Sequence, residues 1–125
     1  MPAYTDSLRG YGFPKFKRDN FVCVYCDLDG KVWPYYLYLS EDHLLPKNHP
    51  LRNDFAYITT ACVFCNGLAN REQYDVEGKT PDQLIEQKRA VVLQARQKYY
   101  DFWKHNVQPK KIVADAGTIG NADRP

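Results

Sequence analysis

Two groups of residues in this chain have the types and spacing to do chemistry: four cysteines, and an acid–histidine pair that lies between them. Cys23-Val24-Tyr25-Cys26 and Cys62-Val63-Phe64-Cys65 are two Cys-x-x-Cys units. That spacing lets one turn of chain supply two thiolates, and zinc prefers four ligands in a tetrahedron. Cys23, Cys26, Cys62 and Cys65 complete such a set and leave no position open. The expected metal is therefore a structural zinc, worth on the order of 10 kcal/mol of folding energy in a small domain. Two disulfides or four unrelated thiols are the other reading of these cysteines. Simple zinc ribbons separate their pairs by roughly 15–20 residues. Here 35 residues stand between Cys26 and Cys62, and among them is Asp42-His43.

An acid next to a histidine suits phosphodiester hydrolysis, which needs an activated water and a cation on the phosphate. A neutral imidazole takes a proton from water near neutral pH, so His43 is the candidate base. Mg²⁺ takes hard oxygen ligands, commonly one or two from protein; Asp42 offers a carboxylate and Asn66 an amide oxygen. Neighbours on a regular strand face opposite ways. Asp42 and His43 must then approach a phosphate from two sides, or lie where the strand twists or bulges. The plainer alternatives are a chance Asp-His pair, a turn or cap role for Asn66, a solvated His49, and a His105 that meets a helix dipole.

Several elements must position these residues. Phe21–Cys26 is rich in strand formers, and Asp29-Gly30 is a hairpin signal. A hairpin with Val32 and Trp33 on its return arm is expected, its thiols on the first arm. Tyr35–Leu39 reads as a strand running into Asp42-His43, and 47–54 as a loop between Pro46 and Pro50. Phe55–Ala61 reads as the partner strand, with a helix beginning near Cys62 or Phe64. Asp75–Lys79 reads as a turn. Thr80-Pro81-Asp82-Gln83 is a capping box with proline at the first helical position. Leu84, Val91, Val92, Ala95, Tyr99, Phe102 and Trp103 then recur at helical spacing. Lys88, Arg89, Arg96, Lys98 and Lys104 fall off or beside that stripe. The helix should span about 80–105, ending before Pro109.

With 125 residues, 44% of them hydrophobic, the chain is sized for one domain. Residues 1–14 read as an irregular arm, 15–106 as the domain with its C-terminal helix, and 107–125 as a tail. Ten tyrosines make the aromatic fraction amphipathic, and a net charge of +2 leaves nucleic acid neither required nor excluded. No apolar run is long enough to span a membrane and no leader pattern opens the sequence, so an intracellular protein without membrane contact is expected. Reduced thiols in that compartment favour metal over disulfides.

Three stretches resemble the HNH nucleases of the ββα-metal (His-Me finger) fold. They are Arg18-Asp19-Asn20-Phe21-Val22-Cys23-Val24-Tyr25-Cys26, Glu41-Asp42-His43-Leu44-Leu45-Pro46, and Ile58-Thr59-Thr60-Ala61-Cys62-Val63-Phe64-Cys65-Asn66. They stand in the family's order and cover about residues 15–71. The chain is also similar to the zinc-bearing junction-resolving endonucleases of phages, in its cysteine pairs, its Asp-His and the Asn directly after the last cysteine. The resemblance implies an α+β fold: a ββα-metal core with a zinc knuckle, followed by the long amphipathic helix. It implies a metal-dependent DNA endonuclease that leaves a 5′-phosphate. His43 would be the general base, Asp42 and Asn66 the ligands of a catalytic Mg²⁺ or Mn²⁺, and the four cysteines the ligands of structural Zn²⁺. Five residues before the third cysteine, where members often carry Asn, this chain has Tyr57; Asn53 and Asp54 are the neighbouring candidates to orient His43. Many members also have Lys where this chain has Ala69. Phosphate contact falls to Lys15, Lys17, Arg18, Lys47, Arg52 and Arg71, which lie near the site in sequence. Tyr99, Tyr100, Phe102 and Trp103 offer surplus apolar surface for a homodimer. The rival to an enzyme is a zinc-knuckle module that binds nucleic acid without catalysis.

Overall fold

The computed structural model describes residues 12–108. The expectations for residues 1–11 and 109–125 lie outside that range. The chain divides into two units, 1–93 and 94–125. The first unit contains helix α1 (Phe13–Arg18), strand β1 (Leu39–His43), strand β2 (Ile58–Cys62) and helix α2 (Val63–Ala69). Helix α3 (Pro81–Asn106) begins in the first unit and runs into the second. The protein is thus a small mixture of helix and sheet, with a two-stranded antiparallel sheet and a long C-terminal helix.

β1 and β2 pair from Leu39↔Cys62 to His43↔Ile58. Both strands begin later than the sequence suggests. Tyr35–Tyr38 and Phe55–Tyr57 are 3-10 turns that lead into them. In the second turn Asp54 supplies the reason, since its side chain accepts from the Ala56 amide at 2.9 Å and favours a turn over an extended start.

The expected Phe21–Trp33 hairpin is also corrected. Val22 and Asp29 form a single bridge, and the chain reverses between the first two cysteines and Leu28. The Cys23 amide donates to Leu28 O at 2.9 Å, and the Asp27 amide to Cys23 O at 2.9 Å. Asp27 takes a φ of 67°, which Asp tolerates better than most residues. Asp29-Gly30 therefore follows the reversal instead of making it. Gly30 is where Leu39 and the Phe21 carbonyl close in on the backbone, at 2.5 and 2.7 Å from where a Cβ would sit.

α1 belongs to the core through Phe16. Asp19, just past its end, accepts from the Thr60 amide at 3.0 Å and from Thr59 Oγ1 at 3.3 Å, which seats the helix against β2. Leu44, Leu45 and Leu84 form a cluster flanked by Tyr57, Val76 and Ile85, so the chain just beyond β1 packs on the first turns of α3. The capping box at the start of α3 is present: Thr80 Oγ1 accepts from the Gln83 amide at 3.2 Å, and Gln83 Oε1 accepts from the Thr80 amide at 2.9 Å.

The face that α3 buries differs from the expected stripe. Leu84, Lys88 and Val92 are buried, at successive four-residue steps, with a lysine in the middle. In the second unit Tyr99, Tyr100, Phe102 and Trp103 are exposed, and the Tyr100 and Trp103 rings lie 5.9 Å apart. None of the described helices is long and apolar enough to cross a membrane.

Candidate functional site

The four cysteines come together as the sequence predicts. Their sulfurs all lie within 4.8 Å of one another, and Cys26 Sγ is 3.9 Å from Cys62 Sγ. Four thiolates at Zn–S distances near 2.3 Å in a tetrahedron stand roughly 3.8 Å apart, so the cluster is dimensioned to hold a zinc ion. All four are free thiols; disulfide pairing is not what unites them. Hydrogen bonds among the thiols pull Cys23 down to about 6 and Cys62 far below the ordinary thiol range, and push Cys26 and Cys65 far above it. Thiolates packed this closely suit a divalent cation. Cys62 has two further duties. It ends β2, and it caps α2, its sulfur accepting from the Cys65 amide at 3.4 Å.

Asp42 and His43 sit at the end of β1, one residue past the cross-strand pair Glu41↔Thr60 and beside Thr59 and Ile58. Alternation sends Asp42 toward α2 and α3, whereas Glu41 faces α1 and pairs with Lys15 at 2.7 Å. The strand finishes at His43, however, and there a cavity of about 350 Å³ opens that both residues line, together with Glu41, Arg52, Asn66 and Asn70. Opposite-facing neighbours reach one cavity because it lies at the strand's end. A larger cavity of about 610 Å³ adjoins it, sharing His43 and Asn70, with Tyr74 and Lys88 in its wall.

His43 is partly buried. Burial, with Arg52 nearby, holds its imidazole below the ordinary histidine range, so at neutral pH it is in the form that accepts a proton. Asp42 is fully buried. Its carboxylate accepts from the Tyr25 hydroxyl, from Asn70 Nδ2 at 2.9 Å and from Lys88 Nζ at 3.3 Å. Burial next to Asp42 raises the Tyr25 hydroxyl far above the ordinary range, so it stays protonated and donates. Asn66, on the first turns of α2, donates to Ser40 Oγ and to Glu41 O, each at 3.0 Å, and its Oδ1 accepts from Asn70 Nδ2 at 2.6 Å. The Asp42 and Asn66 oxygens therefore converge on a single nitrogen, that of Asn70.

The remaining candidates separate. Tyr57 packs on the Leu44–Leu45–Leu84 cluster, Asp54 caps its 3-10 turn, and Asn53 is exposed. Among the described residues none of the three hydrogen-bonds the His43 ring. Of the basic residues, Lys15 holds Glu41. Arg18 donates to the carbonyls of Phe55 and Ile58, pairs with Asp19, and stacks over the Phe55 ring. Lys17, Lys47 and Arg71 are exposed. Arg52 reaches the cavity wall, and its buried Nε has no hydrogen-bond partner.

Sequence reading missed Tyr25, Asn70 and Lys88. Asn70 lies four residues after Asn66 on one face of α2, a spacing that pairs side chains on a helix. Lys88 falls midway between Leu84 and Val92, the signal that it shares their buried face.

Comparison of the chain with protein-family models, with curated proteins and with solved structures finds no match.

Proposed function

We propose that the chain is a metal-dependent DNA endonuclease of the HNH type, its hairpin and following helix serving as a ββα-metal core braced by structural zinc. The observation that carries this reading is the cavity at the end of β1, whose wall brings together a proton-accepting His43, Asp42, Asn66 and Arg52. The Arg52 guanidinium, in the same wall, supplies positive charge to a non-bridging oxygen of the phosphodiester. His43 takes a proton from the attacking water; the new P–O bond forms as the bond to the leaving 3′-oxygen breaks, and the product keeps a 5′-phosphate. A divalent cation held by Asp42 and Asn66, Mg²⁺ or Mn²⁺, would supply positive charge to the phosphate. Lys17, Lys47 and Arg71 extend the contact along the DNA backbone. The exposed aromatic residues of α3 offer the face for a homodimer, read out by the mass in solution.

Plasmid nicking by the purified protein, with and without Mg²⁺ or Mn²⁺, tests the proposal. Cleavage that needs the cation and is lost in His43→Ala is expected. Cleavage by His43→Ala equal to the parent's overturns it.

The alternative is a zinc-knuckle module that binds nucleic acid without cutting it. The pairing of Asp42 with Lys88 favours that reading, because the carboxylate already has a cation. DNA binding without cleavage in either metal would select it.

A further inference from the structure

The two cavities that adjoin at the end of β1 differ in charge. The smaller has Lys47 and Arg52 in its wall, and among the described residues neither has an acidic partner. Its acids are already matched, Glu41 by Lys15 and Asp42 by Lys88. A wall with surplus positive charge suits a phosphate. The larger cavity, of about 610 Å³, has Lys47 and Lys88 in its wall, and Glu72 opposes them. Lys88 is matched by Asp42 at 3.3 Å, so the remaining charges cancel. A second phosphate finds no surplus positive charge there; a neutral group fits better.

That wall has two kinds of surface. Leu44, Pro46 and Val76 are apolar, and the Tyr74 ring beside them is held by its hydroxyl, which donates to Ala69 O at 2.7 Å. Asn48 and Gln73 are exposed, and among the described residues their side-chain amides make no hydrogen bond. Each amide offers donors and an acceptor. A nucleobase has the matching surfaces, with flat apolar faces and an edge of donors and acceptors. Proteins that hold a base outside the helix combine apolar or aromatic surface with hydrogen bonds to that edge. The volume is in the range of small-molecule sites and takes one nucleoside; a paired duplex is far too wide. The cavities share His43 and Asn70, and in a DNA strand each base hangs on a sugar that carries a phosphate. A phosphodiester at His43 thus puts a nucleoside at the mouth of the larger cavity. Resting on the nuclease reading above, we propose that this cavity receives one unstacked nucleobase, next to the scissile phosphate, so that the chain favours DNA with an unpaired base. Leaving the stack costs least for a base that has no partner.

The test is binding and not cleavage. The zinc-loaded full chain, without added Mg²⁺ or Mn²⁺, is titrated into labelled duplexes of one sequence and followed by fluorescence anisotropy. One duplex is fully paired, one carries a single bulged adenine, and one carries a bulged abasic site. The bulged adenine should bind at least about tenfold more tightly than either of the others, the discrimination that a good pair of hydrogen bonds to a base edge gives. Asn48→Ala combined with Gln73→Ala should bring it down to the abasic duplex. Both positions are exposed, and an unchanged melting temperature checks that the double variant folds. Equal binding of the adenine and abasic bulges would mean that the bend is recognised and not the base, and overturns the proposal. A preference that survives in the double variant overturns it as well, and so does binding to none of the three. The nuclease reading fails separately, on plasmid nicking and His43→Ala, neither of which enters this titration.

Discussion

Arg89 of α3 reaches across to Val24, inside the first cysteine pair, and its guanidinium donates to the Val24 carbonyl through both Nε, at 3.1 Å, and Nη2. The Val24 amide in turn donates to Thr60 O at 3.0 Å. One residue of the knuckle, Val24, is thereby tied to the long helix through its carbonyl and to β2 through its amide. Hydrogen bonds from a charged donor are worth about 1.5–3 kcal/mol, and this guanidinium is partly exposed, so the lower part of that range applies. Arg89→Met should lower stability by about 1.5 kcal/mol in urea unfolding of the zinc-loaded protein, with zinc content unchanged. An unaltered midpoint would show that the knuckle does not need the helix.

The cysteine cluster predicts one tightly held zinc per chain by elemental analysis. Cys65 is fully buried, and Cys65→Ser should release the metal and lose cooperative unfolding. Up to about 10 kcal/mol of folding energy resides in such a site. Prolonged chelation of the parent should give the same loss, and a cooperative melt that survives in metal-free protein would refute the structural role.

For His43 the expected loss is large in rate and small in stability. General-base catalysis contributes roughly 10²–10⁴-fold, and the ring hydrogen-bonds to none of the described residues. His43→Ala should nick plasmid DNA at least about 100-fold more slowly, with zinc content and melting temperature within error of the parent.

Gly30→Ala tests the packing beneath β1. The added methyl would meet Leu39 Cδ1 at 2.5 Å and the Phe21 carbonyl at 2.7 Å. The leucine can give a little; the carbonyl is tied by its bond from the Gly30 amide, 2.7 Å long. Overpacking of this kind costs about 1–3 kcal/mol. A drop in melting temperature is expected, and a neutral result would mean that the turn shifts freely.

Local signals carried much of this fold. Thr80 and Gln83 announce the start of α3, because a capping box is complete within four residues. The two Cys-x-x-Cys units announce the thiol cluster for the same reason. What stayed hidden depends on distant partners. Tyr35–Tyr38 and Phe55–Tyr57 carry strand-forming aromatics yet make 3-10 turns, the first entered from Pro34 and the second capped by the Asp54 side chain. Lys88 reads as a surface lysine until Asp42, 46 positions earlier in the chain, is seen beside it. Arg18 reads as a phosphate contact, but the carbonyls of Phe55 and Ile58 claim it.

Cys62 is at once the last residue of β2, the cap of α2 and a member of the thiol cluster. The two cysteine pairs that meet there are far apart along the chain. Cys26 and Cys62 are 36 positions apart, and the ordering of that loop is an entropic cost that must be met before any metal is gripped by all four sulfurs. A zinc held by all four sulfurs would therefore couple the end of the sheet to the start of α2 through one residue.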